Sequence, residues 1–241
     1  MAHTQIEGKT YNERLFSPGL RGFFHTARFR WLYEAIKKMG INNGSVIELG
    51  CNDGRSLKYL PFSPSLYKGY DADWEGGFED AIRDWSNKPQ YQFVLSDNPS
   101  TFNSENLGFD LSISMETLEH LPGSVLPAYI LKLQESTESY AFFSFPNERG
   151  LVFLMKYYFK KLFISQREPY KRQEIWNAFI GKMHLVERNE TGHKGFDYKN
   201  LLKSLEQHFE IVELKGIPFP FLPASLNFTI GVIVKPKSST N

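Results

Sequence analysis

The chain has 241 residues, 41% of them hydrophobic and 23% charged, a balance that excludes disordered, collagen-like and coiled-coil chains and suits one large globular domain or two small ones. Its 28 Lys and Arg stand against 27 Asp and Glu, a net charge of +1, so no overall field draws nucleic acid and none is expected as a partner. A single cysteine, Cys51, rules out intramolecular disulfides and multi-cysteine zinc sites and fits a reducing compartment, with the cytoplasm as the expected location. No apolar run reaches the ~18 residues of a membrane span, and the polar start MAHTQIEGKT lacks a signal-peptide core. With 21 Phe and 12 Tyr the chain carries more rings than its core needs, which points to a ring-lined pocket or an interfacial surface.

Short apolar runs alternate with stretches of helical period, which predicts an α/β fold on a parallel sheet. The spacing of Phe24, Ala27, Trp31, Leu32, Ala35 and Ile36 predicts a helix over 23–39, stopped by Gly40. Strands follow at 45–49, 66–70, 91–95, 111–114 and 140–145, with helices at 78–85 and 125–133 and a short helical stretch through Leu57 and Leu60 that Pro61 ends. The regular alternation lapses after Pro146. Residues 147–194 read as an inserted cap with helical patterns at 151–163 and 174–182, and residues 1–40 as an N-terminal helical lid, within a single domain over 1–241. A helix at 198–208, opened by Asp197 as N-cap, and strands at 210–214 and 228–234 close the chain.

The chemistry concentrates in VIELGCNDG, residues 46–54: a strand, then glycines at 50 and 54, then a helical stretch. The turn after the first strand of an open α/β sheet faces the crevice where ligands bind, and Gly50 and Gly54 let a ligand lie against backbone and its N–H groups. A dinucleotide site needs G-x-G-x-x-G, so the G-x-x-x-G spacing here disfavours a nicotinamide-dependent oxidoreductase. Acids close the next strands. Asp71 is placed to accept from both hydroxyls of a ribose, Asp97 to accept from the exocyclic amine of an adenine, and Asp110 reads as structural.

These stretches, with FDLSISMETLEHLP from Phe109 to Pro122 and the late GHKGFDYKNLLKSLEQHFEIVE, resemble the class I S-adenosylmethionine-dependent methyltransferases, in particular the small-molecule, type 11-like group. The resemblance implies a Rossmann-like sheet of seven strands with helices on both faces and the last strand antiparallel. It also implies S-adenosyl-L-methionine as cofactor, held by Glu48, Gly50, Asn52, Gly54, Asp71, Asp97 and Met115, with Glu116 beside Met115. The middle glycine of the family's turn is replaced by Asn52, the non-glycine residue that best tolerates a left-handed backbone. The activity so implied is methyl transfer to a small molecule, at oxygen of a sugar, a lipid-linked intermediate or a phenolic metabolite. The alternative is a non-catalytic S-adenosylmethionine-binding module of the same fold.

His193, His120 and Glu119 are the candidates for a general base, because each approaches the carboxyl end of the sheet and a histidine titrates near neutrality. Glu119 and His120 also fit a packing or capping role after strand four, and His184 is a further candidate in the insertion. No HExxH or locally clustered acid and histidine spacing occurs, so no metal site is expected. Cys51 reads as a packed small residue. Residues 150–163, GLVFLMKYYFKKLF, join apolar bulk to Lys156, Lys160 and Lys161. They read as a packed helix with its lysines in water, or as a peripheral contact with anionic lipid. Arg14, Arg21, Arg28 and Arg30 read as a solvated helix face or a grip on an anionic substrate.

Overall fold

The computed structural model describes residues 11–163, 169–190 and 192–238. Residues 1–10 of the expected lid, 164–168 and 191 of the insertion, the last three residues and the side chain of Arg14 lie outside the described residues. The first half of the chain gives α1 (Tyr11–Phe16), α2 (Leu20–Lys38), β1 (Val46–Leu49), a 3₁₀ turn at Arg55–Tyr59, β2 (Tyr67–Asp71), α3 (Phe78–Trp85), β3 (Tyr91–Leu95) and β4 (Phe109–Met115). A second 3₁₀ turn at Leu118–His120 leads to α4 (Leu126–Ser136), β5 (Thr137–Pro146), α5 (Gly150–Phe163) and α6 (Arg172–Phe179). Then come α7 (Tyr198–His208), β6 (Phe209–Ile217) and β7 (Thr229–Pro236).

The strands form one seven-stranded sheet in the order β3-β2-β1-β4-β5-β7-β6. The first five run parallel, and β7 pairs antiparallel with both β5 and β6, as the resemblance implied. Side chains alternate between two cores, as period two requires. Ile47, Leu49, Phe143, Phe145 and Val232 pack on one face with Tyr129, Ile130 and Leu133 of α4 and Leu201 and Leu205 of α7. Val46, Tyr67, Leu111, Ile113, Phe142 and Ile233 pack on the other with Leu32, Ala35 and Ile36 of α2 and Phe78 of α3. Each fully buried side chain of this kind stabilises the fold by ~1.5–3 kcal/mol. By the same alternation Glu48 falls on the α2 face.

Strands β4 and β5 outrun their sequence pattern because each extends to where its neighbour supplies backbone partners, as in the pairing of Phe109 with Thr137. The expected cap on α7 is present: the Asp197 carboxylate accepts from Lys199 N–H at 3.1 Å. The insertion carries its own small core of Phe153, Ala178, Met183 and Val186, with Leu154, Tyr157, Tyr170 and Ile175 against it. Of the α5 lysines, Lys160 and Lys161 stay exposed, while Lys156 departs from expectation by turning inward to the buried Glu148 at 2.8 Å. A deep acid outcompetes water for that ammonium. The exposed part of α5 also carries Leu151, Met155, Tyr158 and Phe159, each about half exposed. Among the described residues no helix is long and apolar enough to cross a membrane.

Candidate active site

The strand order reverses between β1 and β4, and the crevice of an open α/β sheet lies at the carboxyl ends of such a pair. The bend from Gly50 to Gly54 forms one lip; Met115, Glu116 and Thr117 form the other. The lips meet at Gly50, where φ is +80° and a Cβ would stand 2.0 Å from Thr117 Oγ1. Asn52 takes φ 44°, so the left-handed turn persists without its glycine. The Asn52 carboxamide accepts from Asn12 Nδ2 of α1 at 3.1 Å and donates to Glu75 at 3.2 Å. Gly54 also packs closely on α3, because a Cβ there would lie 2.8 Å from Trp85 Nε1.

The sequence suggested that these glycines offer free N–H groups, and the structure corrects this. Gly50 N–H and Cys51 N–H donate to Tyr70 O, Gly54 N–H to Cys51 O, and Asn52 N–H to Asp71 Oδ2 at 2.8 Å. With those donors engaged, the bend lacks the N–H nest a pyrophosphate needs. Its surroundings are rich in acceptors, which suit a ligand bearing cationic and hydroxyl groups. Asp71 ends β2, and its Oδ1 accepts from Asp73 N–H at 2.6 Å. A carboxylate has about four acceptor positions, so hydroxyl donors still find room on it. Burial pushes the Asp71 pKa upward against those two backbone bonds.

Glu48 lies at the core side of the bend. Its Oε2 accepts from the Tyr67 hydroxyl at 2.5 Å and from Ser56 Oγ, tying β1 to β2 and to the 3₁₀ turn. Burial raises its pKa to about 7 although both hydroxyls favour the anion. Asp97 is exposed two residues beyond β3, and Met115 is buried at the end of β4. Asp110 is structural as expected, accepting from Ser45 N–H at 2.7 Å and Ser45 Oγ at 2.8 Å. Cys51 is buried, and burial pushes its thiol pKa up, which fits a packed side chain.

Beyond β4 stands a polar cluster. Glu116, at φ 55°, pairs with Arg28 of α2 and accepts from Thr229 Oγ1 at 2.9 Å. Burial alone would raise its pKa, but Arg28, with His25 and His193, holds it down at about 2. Arg28 is therefore a buried partner of the crevice and not part of a solvated helix face. Burial first, and Arg28 and Arg21 after it, lower the His25 pKa to about 4 against the pull of Glu116.

The three candidate bases come together here. His120 Nε2 and His193 Nε2 lie 3.3 Å apart, and Glu119 Oε1 is 3.9 Å from His120 Nε2. His193 Nδ1 is 3.7 Å from Glu148 Oε1. Burial lowers the His193 pKa to about 4 despite Glu148, so the imidazole is neutral near pH 7. Burial lowers the His120 pKa as well. Arg188 of the insertion donates to the Glu119 carbonyl and to the carbonyls of Gly192 and Lys194, binding the loop that carries His193 to the turn that carries His120. His184 is exposed on a 3₁₀ turn of the insertion and outside this cluster. Sequence reasoning overlooked Glu148, Arg188 and Thr229, and it read Lys156 as a surface or lipid-facing lysine. An acid just past a strand end was the signal that singled out Asp97, and the same signal after β5 finds Glu148.

No protein-family model matches the sequence, and no curated protein matches it significantly. Solved structures do match. A S-adenosylmethionine-dependent methyltransferase from Clostridium acetobutylicum aligns with TM-score 0.61 at 11% identity over 95% of this chain and 96% of that one. The N-methyltransferase NodS of Bradyrhizobium japonicum, in complex with S-adenosyl-L-homocysteine, aligns with TM-score 0.57 at 11% identity over 94% and 96%. The magnesium protoporphyrin IX methyltransferase of Synechocystis, with the same ligand bound, aligns with TM-score 0.55 at 14% identity over 92% of each chain. Sheet order, the single antiparallel strand and these alignments agree: the chain has the fold of the class I S-adenosylmethionine-dependent methyltransferases.

Proposed function

We propose that this protein is a S-adenosylmethionine-dependent methyltransferase that methylates an oxygen atom of a small molecule: a sugar, a lipid-linked intermediate or a phenolic metabolite. The reading rests on two features: an acceptor-lined bend after β1, and a pair of imidazoles just beyond the end of the neighbouring β4. The cofactor supplies a methyl group on a sulfonium. Asp71 receives the ribose hydroxyls and Asp97 the adenine amine, while Gly50 keeps the lip thin where Met115 and Glu116 face it. His193 or His120, kept neutral by burial, holds a lone pair for the proton of the acceptor hydroxyl. Arg28 fixes Glu116, so the end of β4 does not turn its carboxylate on the reacting atoms.

Within the N-terminal segment α1 serves as a lid, with Asn12 reaching Asn52, whereas α2 is a core helix of the sheet, and the described residues of 147–194 serve as a cap joined to the crevice by Arg188. Of the three acceptor classes, the lipid-linked one gives the exposed stripe of α5 a role, as a peripheral contact. Calorimetry with S-adenosyl-L-homocysteine tests the reading: Asp71→Asn weakens binding ~10-fold or more, since a hydrogen bond to a charged group contributes ~1.5–3 kcal/mol. Equal affinity of the variant and the wild type, or no wild-type binding, overturns it. Mass spectrometry after incubation of cell extract with methyl-labelled cofactor identifies the acceptor. Binding without any labelled product supports the non-catalytic module instead.

A further inference from the structure

The sequence offered no local metal spacing, and the fold brings one together. The geometry points to a divalent transition-metal site, of the kind that takes Zn²⁺, Co²⁺ or Mn²⁺, formed by Glu119, His120 and His193. One ligand atom from each of these residues lies within 4.8 Å of the others. Two nitrogens bound to one ion at about 2.05 Å and the tetrahedral angle stand ~3.3 Å apart. The His120 and His193 Nε2 atoms are 3.3 Å apart. That distance also allows one imidazole to hydrogen-bond the other, and Glu119 decides between the two. Its side chain is 0% exposed, and neither carboxylate oxygen has a hydrogen-bond partner among the described residues. Burial disfavours a carboxylate without partners, whereas an ion shared with the two imidazoles satisfies all three groups at once.

The surroundings have the further parts such a site needs. Metal-bound histidines commonly direct the second ring nitrogen toward a carboxylate, and His193 Nδ1 faces Glu148 at 3.7 Å. Glu148 is itself oriented by Lys156 at 2.8 Å. The His120 and His193 side chains are 24% and 30% exposed, so an ion has a way in and a fourth position open to water or a substrate oxygen. Two imidazoles and one carboxylate favour zinc, cobalt or manganese over calcium or magnesium, which prefer all-oxygen shells.

An ion at this site takes the imidazole lone pairs that the proposed function otherwise offers to the acceptor proton, so the test reads metal binding and not methyl transfer. Chelator-treated full-length protein is titrated with Co²⁺, read by visible absorption, and with Zn²⁺, read by calorimetry and by the melting temperature. The expected result is one equivalent bound at micromolar affinity or tighter, the absorption of a tetrahedral or five-coordinate Co²⁺, and a rise in melting temperature with added Zn²⁺. In His193→Ala and in His120→Ala the absorption and the Zn²⁺-dependent rise are lost. Circular dichroism and a cooperative thermal melt of the same metal-free samples report whether each variant is folded; where an alanine variant is not, His193→Gln replaces it. Wild-type protein that binds no Co²⁺ or Zn²⁺, or folded variants that bind as the wild type does, overturn the proposal whatever the nucleoside titration gives.

Discussion

Replacing Glu48 by Gln gives the sharpest test of the electrostatics beneath the bend. In the native state burial holds the Glu48 pKa at about 7, against 4.5 for the ordinary side chain. The folded pKa lies above the unfolded one, so native protein keeps its proton where unfolded chain has released it. This contribution to stability is complete below pH ~4.5 and is lost as pH rises through ~7. At 1.36 kcal/mol per unit the full swing is about 3 kcal/mol, of which about 2.5 falls between pH 5 and pH 8. The Gln variant keeps a carbonyl acceptor for Tyr67 and Ser56 and has nothing to titrate. Urea unfolding of wild type and variant at pH 5 and pH 8 isolates the effect, because every other group cancels in the difference between the two proteins. The variant should gain ~2.5 kcal/mol on the wild type between those pH values. A difference that stays constant with pH, or moves in favour of the wild type, refutes the reasoning.

Arg28→Met leaves the buried Glu116 carboxylate without its counter-ion and should destabilise the fold by ~3–5 kcal/mol in chemical denaturation. Adding Glu116→Gln to it should restore most of that loss, and a single variant within ~1 kcal/mol of wild type would show that the pair is not coupled. The Glu116 pKa is depressed to about 2, so its stabilising share is present above the ordinary 4.5 and disappears as pH falls through ~2. Gly50→Ala places a Cβ at φ +80° and against Thr117 Oγ1, so it should cost at least ~1–2 kcal/mol in backbone strain. Thr117→Gly in the same chain should relieve the contact and not the strain, and a Gly50→Ala protein as stable as wild type would mean that the bend has another conformation open to it.

The amino-acid sequence determined by itself the features that depend on near neighbours. The α/β alternation, helices such as Phe78–Trp85 and Tyr198–His208, the strand Tyr91–Leu95, the Asp197 cap and the left-handed Asn52 all rest on local period and turn chemistry. Asp71 was legible because a strand-end position has a known place in an open sheet. Only the tertiary structure decided which groups meet. His120 and His193 are 73 positions apart and Arg28 and Glu116 are 88 apart, and no period in a sequence encodes such encounters. Lys156 looks like a surface lysine until Glu148 is buried under it, and no local pattern announces that Trp85 packs on Gly54. A side chain's local pattern sets its backbone, whereas its charge and partners are set by whatever the packing of distant segments places within a few ångströms.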